Sequence, residues 1–104
     1  MTRKEILDAA NSCVNGERDM QYGKPENNFK IIADFWMGYL ESCGAVPEET
    51  EVFIRPEDVA AMLALLKIAR IASGTAKADN WIDLAGYAAC GGEIQSTTVE
   101  IDKI

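Results

Sequence analysis

One stretch limits what this chain can fold into more than any other. From Pro56 to Ser73 it reads Pro56-Glu57-Asp58, then eight residues from Val59 to Leu66 without a polar group, then Lys67, Ile68, Ala69, Arg70, Ile71 and Ala72. Pro56 suits the first helical position, where its missing N–H is not needed. Glu57 and Asp58 fall at the positive end of the helix dipole, and Lys67 and Arg70 lie toward its negative end. Gly74 is a natural stop. A helix apolar nearly all round has to be buried nearly all round. This one is too short, and too closely flanked by charge, to span a bilayer. The expectation is the central helix of a small bundle. Its few charges then stand beside a dry core, where each needs a partner or a ligand.

Three more helices are expected around it. Thr2-Arg3-Lys4-Glu5 has the form of a capping box with Thr2 at the N-cap. Ile6, Leu7, Ala10, Cys13 and Val14 follow at helical spacing, until Asn15-Gly16. Residues 17–28 hold Gly23 and Pro25 and lack periodicity, so they read as a loop, yet one rich in recognition groups. A second helix runs from about Glu26 to Ser42. Phe29, Ile32, Ala33, Trp36, Leu40 and Cys43 form its stripe, widened by Ile31, Phe35 and Tyr39. Lys30 and Asp34 pair on its solvated side. Residues 45–55 connect it to the central helix. Within them Val52-Phe53-Ile54 could pair with the alternating Thr97–Ile101 as a minor short β ribbon. The last helix spans about Asp79 to Gly91, and residues after Ile94 make a peripheral tail. Gly86 in mid-helix implies a close approach by another helix or a ligand, because glycine there costs about 1 kcal/mol against alanine. The fold class is therefore all-α: a four-helix bundle in one domain, residues 1–104.

Charge and cysteine usage narrow the function. The net charge is −7, which argues against a nucleic-acid polymer as the main partner. It does not argue against a nucleotide, whose phosphates can be met through a divalent cation. There is no histidine, so imidazole is removed from any catalytic or zinc site. Cys13, Cys43 and Cys90 are widely spaced and form no CxxC motif; they read as free, buried thiols in a reducing cytoplasm. The N-terminus is not followed by a signal-length apolar run, and no membrane role is expected.

The acids offer chemistry. Asp79 and Asp83 stand one helical turn apart and could both reach one magnesium ion or two adjacent ones, with Asp58 joining them from the start of the central helix. Lys67 and Arg70 could face a triphosphate. Such a site would position water for attack on phosphorus. Asp58 and Lys67 are nine residues apart, hence on opposite helix sides, so both serve one ligand only if Lys67 reaches round or belongs to another subunit's site. The same residues also admit a plain structural role, with Asp79 as an N-cap and Asp83 as a first-turn acid.

Three blocks together carry a resemblance: residues 18–29 (Arg18-Asp19-Met20-Gln21-Tyr22-Gly23-Lys24-Pro25-Glu26-Asn27-Asn28-Phe29), Glu57-Asp58-Val59-Ala60 through Lys67-Ile68-Ala69-Arg70, and residues 79–88 (Asp79-Asn80-Trp81-Ile82-Asp83-Leu84-Ala85-Gly86-Tyr87-Ala88). They resemble a family of small phage and prophage proteins, which looks similar to the MazG-like, all-α nucleoside triphosphate pyrophosphohydrolases. The resemblance implies a helical bundle, homodimeric or larger, that binds magnesium through acids on two helices and splits an NTP or dNTP into monophosphate and pyrophosphate. Asp83 matches the terminal aspartate of the enzymes' ExxD signature. Asp79 stands one position further back than their glutamate. Asp58 would stand for part of their EExxE signature, which this chain lacks there; Glu48-Glu49-Thr50-Glu51 has the wrong spacing.

Two functions follow as expectations. In the first, Asp58, Asp79 and Asp83 hold magnesium, with Asp79 and Asp83 catalytic. Lys67 and Arg70 meet phosphates, and Arg18, Tyr22 and Asn28 shape the base or sugar pocket. In the second, the chain is a non-catalytic oligomeric module that binds a nucleotide or a protein, and the same acids are caps and salt bridges. The wide apolar sides of the second and central helices favour a homodimer or higher assembly in either case.

Overall fold

A computed structural model describes residues 1–16, 24–74 and 76–102. Among them are four helices: α1 (Arg3–Asn15), α2 (Pro25–Ser42), α3 (Pro56–Ala72) and α4 (Ala78–Asp102). The all-α expectation holds.

The helix ends follow local chemistry. Thr2 caps α1 as a reciprocal box: its Oγ1 accepts from the Glu5 N–H at 3.1 Å, and the Glu5 carboxylate accepts from the Thr2 N–H at 3.1 Å. Pro25 and Pro56 open α2 and α3. Gly44 and Gly74 take positive φ values of 76° and 92° just beyond the ends of α2 and α3, a region that L side chains rarely enter.

α4 differs from its expected length. It continues past Gly91 to Asp102, so residues read as a tail and as one strand of a ribbon are helical. No strand forms among the described residues. Residues 92–102 hold no proline, and Ile94 falls on the buried side one turn after Cys90, which gives the helix reason to continue.

α3 and α4 form the tightest pair. Ala60 meets Gly91 and Lys67 meets Asp83, so the two run antiparallel: residue numbers rise along one as they fall along the other. A Cβ at Gly91 would stand 2.9 Å from the Ala60 Cβ. The absence of a side chain there sets how closely the two backbones approach. α1 lies along α4, with Val14 Cγ1 3.2 Å from where a Gly86 Cβ would be. The glycine in mid-helix thus answers to another helix. α2 packs on α3 and barely reaches α4. Among the described residues α1 and α2 do not pack on each other, so the bundle is left open.

The core is correspondingly thin. Phe29, Ala33, Val59, Ala60, Cys90 and Ile94 make it, and Val59 is the largest side chain in it that is wholly enclosed. α3 is not buried all round, contrary to its composition: Ala61, Met62, Leu65, Leu66, Ile68 and Ala69 are exposed. α4 and α2 cover only one half of its circumference. On α2, Ile31, Phe35 and Tyr39 do not widen the packed stripe but stand exposed on the far side from Phe29 and Ala33. Lys30 and Asp34 form the expected pair at 3.2 Å. Cys90 is buried, Cys13 is half-buried, and Cys43 is exposed because it lies just beyond the last turn of α2.

Candidate functional site: the seam between α3 and α4

The polar groups of the α3–α4 seam are its distinguishing feature. Lys67 Nζ stands 2.7 Å from Asp83 Oδ2, with side chains only 11% and 26% exposed. Among the described residues Lys67 is the one charged side chain that is buried. Nine residues before Lys67 the helix has climbed about 13 Å, so Asp58 sits at the other end of the seam from Asp83. There it is engaged differently. Asp58 Oδ2 accepts the Arg55 N–H at 2.9 Å and Nε–H at 3.1 Å, and Oδ1 accepts from Nη2 at 3.1 Å. This is the half of a capping box in which the third helical residue closes back on the N-cap. The Arg55 guanidinium, and then its backbone N–H, hold the Asp58 carboxyl below the usual carboxylate range.

Between these ends runs a groove of about 280 Å³. Arg55, Glu57 and Asp58 border it at the start of α3, Ala61 and Ala64 floor one side, and Tyr87 and Gln95 face them from α4. Its shape comes from alanines and glycines at the seam.

The expected site residues are therefore distributed. Asp83 and Lys67 are brought together, though on each other instead of on a ligand. Asp58 shares their seam but not their end of it. Asp79 is exposed in the first turn of α4, two residues too far in to be its cap. Arg70 is exposed near the end of α3, and Asn28 is half-buried in the first turn of α2. Arg18 and Tyr22 lie outside the described residues. Among the described residues no group of three acidic or thiol side chains is placed to hold a metal ion. As arranged in one chain, Asp58, Asp79 and Asp83 do not fit magnesium. An ion would have to displace Arg55 and Lys67 from their carboxylates, or draw acids from elsewhere.

Two seam residues escaped the sequence. Asn80 is buried and engaged, one turn before Asp83 on the same side of α4. Its spacing of three from Asp83 was the available signal. Gly91 falls at the expected helix end, whereas it lies inside α4, where an added Cβ would stand 2.9 Å from the Ala60 Cβ of α3.

Comparison with known proteins adds the family. Residues 5–95 match the model described as Domain of unknown function (DUF6378). The chain belongs to this family. It is also 38% identical over 97 residues to the Gene 55 protein of Mycobacterium phage D29, covering 93% of this chain and 58% of that protein. The Gene 55 protein of Mycobacterium phage L5 is 39% identical over 83 residues, 80% of this chain and 47% of that one. The DUF6378 chain thus spans about half the length of these phage relatives. No solved structure matches it. The phage part of the expected resemblance is thereby met. No described helix is long and apolar enough to cross a membrane.

Proposed function

We propose that this DUF6378 chain is a non-catalytic helical module that works by assembly with other protein, its acids serving to join and cap its own helices. The observation that carries this is the Lys67–Asp83 pair. The aspartate most needed by a hydrolase is closed at 2.7 Å on an ammonium group inside a helix seam. The desolvation of two charges is tolerable only while each satisfies the other. Asp83 thus locks α4 to α3, and Asp58, through Arg55, fixes where α3 begins.

A second reading has its own support. The groove beside Glu57, Asp58 and Tyr87 follows the same helix pair that would hold the metal in a MazG-like nucleoside triphosphate pyrophosphohydrolase. In that reading the phosphates of the substrate would lie along this groove. Arg70 is exposed on the same helix and could meet them.

The two readings part in one experiment. The purified chain is melted with magnesium and each common NTP and dNTP, and pyrophosphate is measured in the same samples. A ligand that binds only the folded state raises the midpoint. The module reading expects no pyrophosphate above a protein-free blank. Sustained release that disappears in Asp83→Asn would replace it with the hydrolase.

A further inference from the structure

The outer side of α2 and α3 is built like half of an interior. Between Asp58 and Arg70 every exposed residue of α3 is apolar: Ala61, Met62, Leu65, Leu66, Ile68 and Ala69. The charge in that interval, Lys67, is turned inward to Asp83. On α2, Ile31, Phe35 and Tyr39 make an i, i+4, i+8 stripe on the side away from the core, 56%, 74% and 70% exposed. The Lys30–Asp34 pair beside it is neutral as a unit.

The size of the uncovered surface says what belongs on it. A compact folded chain of 11.4 kDa exposes about 5,800 Å², whereas this chain exposes 7692 Å². Its radius of gyration is 15.6 Å, against about 13 Å for a compact domain of 104 residues. The excess of about 1,900 Å² per chain is of the order that obligate homodimers bury, and such interfaces resemble a domain core cut in half. The thin core of the single chain is the other half of the same observation.

We infer that the exposed sides of α2 and α3 dock a second copy of this chain in a two-fold dimer that buries Phe35 and Leu65. The inference rests on the module reading and names its partner. A second copy suits the patch for an electrostatic reason too. Two chains of net charge −7 repel, and the contact least penalised by that repulsion is one through a surface poor in acids, where Asp34 is already paired with Lys30. A two-fold axis requires a self-complementary patch, which an all-apolar helix face provides.

Sedimentation equilibrium of the full chain from micromolar to sub-millimolar concentration tests this. The wild type is expected to be a dimer with a melting midpoint that rises with protein concentration, as mass action requires. Phe35→Ala is expected to weaken association by about tenfold or more, as for a buried aromatic anchor. Phe35→Glu with Leu65→Glu is expected to abolish it. Control variants Lys30→Ala and Glu41→Ala should associate as the wild type does. If the glutamate variant does not fold, Phe35→Ala and the concentration dependence of the wild-type midpoint still decide. A wild type that is monomeric throughout, or a Phe35→Ala chain that dimerises unchanged, overturns the inference. Neither result touches the pyrophosphate assay, so a failed dimer and a failed module reading are told apart.

Discussion

Asp58 and Asp83 are each held by a cation of their own chain, and the two pairs differ in almost everything else. Arg55–Asp58 joins residues three apart at a helix start, with side chains 51% and 35% exposed. Lys67–Asp83 joins two helices, with side chains 11% and 26% exposed. A local, watered pair stabilises weakly, because its members were nearly as well off in solvent. A pair in a packed seam contributes little relative to an apolar replacement, yet neither member can be removed alone. The first pair marks where a helix begins. The second decides whether two helices can stay together in register.

The largest effect should come from splitting the seam pair. Lys67→Met leaves the Asp83 carboxylate facing an apolar seam. The expected cost is about 2–3 kcal/mol, below the 3–5 kcal/mol of a fully buried pair because Asp83 keeps some contact with water. For a chain of this length that lowers the melting midpoint by roughly 10–20 °C. Adding Asp83→Leu should restore most of the loss. Thermal melts of the single and double variants at one protein concentration decide the matter, and equal midpoints would show that the two side chains are not coupled.

Next in size is the seam's other contact. Gly91→Ala places a methyl 2.9 Å from the Ala60 Cβ, and neither group can rotate away. The helices must part by a few tenths of an ångström, at a cost of about 1–2 kcal/mol beyond the helix-propensity gain. Gly92→Ala, one position on, meets nothing within 4 Å. There only the propensity term remains, and the variant should be more stable by up to about 1 kcal/mol. Denaturant titration of the two variants should move the midpoint in opposite directions. If both stabilise, the seam is looser than described.

These contacts also show where sequence reasoning reached and where it stopped. The Thr2–Glu5 box, the Lys30–Asp34 pair and the proline-led starts of α2 and α3 are set by neighbours within four residues, and each was legible. Gly86 was legible as a close approach, because a costly residue in mid-helix needs a cause. The partner of Lys67 was not. Sixteen residues separate it from Asp83, and only the antiparallel turn through Gly74 and Lys77 brings them together. The burial of α3 was misjudged for a related reason. Its composition reports that all its sides avoid water, but not that α2 and α4 reach only part of its circumference among the described residues. The extension of α4 was missed because Gly91-Gly92 looks like a stop, whereas the following Ile94 continues the buried side.

The smallest effect is that of the exposed pair, and pH gives it a sign. Arg55 lowers the Asp58 pKa in the folded chain, chiefly through its guanidinium hydrogen bonds and then through its N–H. Around the ordinary carboxylate pKa of about 3.9 the unfolded chain therefore binds more protons than the folded one, and stability rises with pH across that window. The contribution is complete above the unfolded value and is lost as pH falls through the lowered folded value. Glu5, lowered by its bonds to Thr2, acts in the same direction at the start of α1. Asp58→Asn keeps a side-chain acceptor at the cap but removes the charge. It should cost about 1 kcal/mol or less at neutral pH, within the range for cap substitutions, and leave a shallower decline of stability below pH 4. Denaturant melts from pH 2.5 to 7 would measure both. Wild-type and Asp58→Asn curves that stay parallel across the acid range would mean that Arg55 does not hold Asp58 in solution. The start of α3 would then be fixed by Pro56 alone.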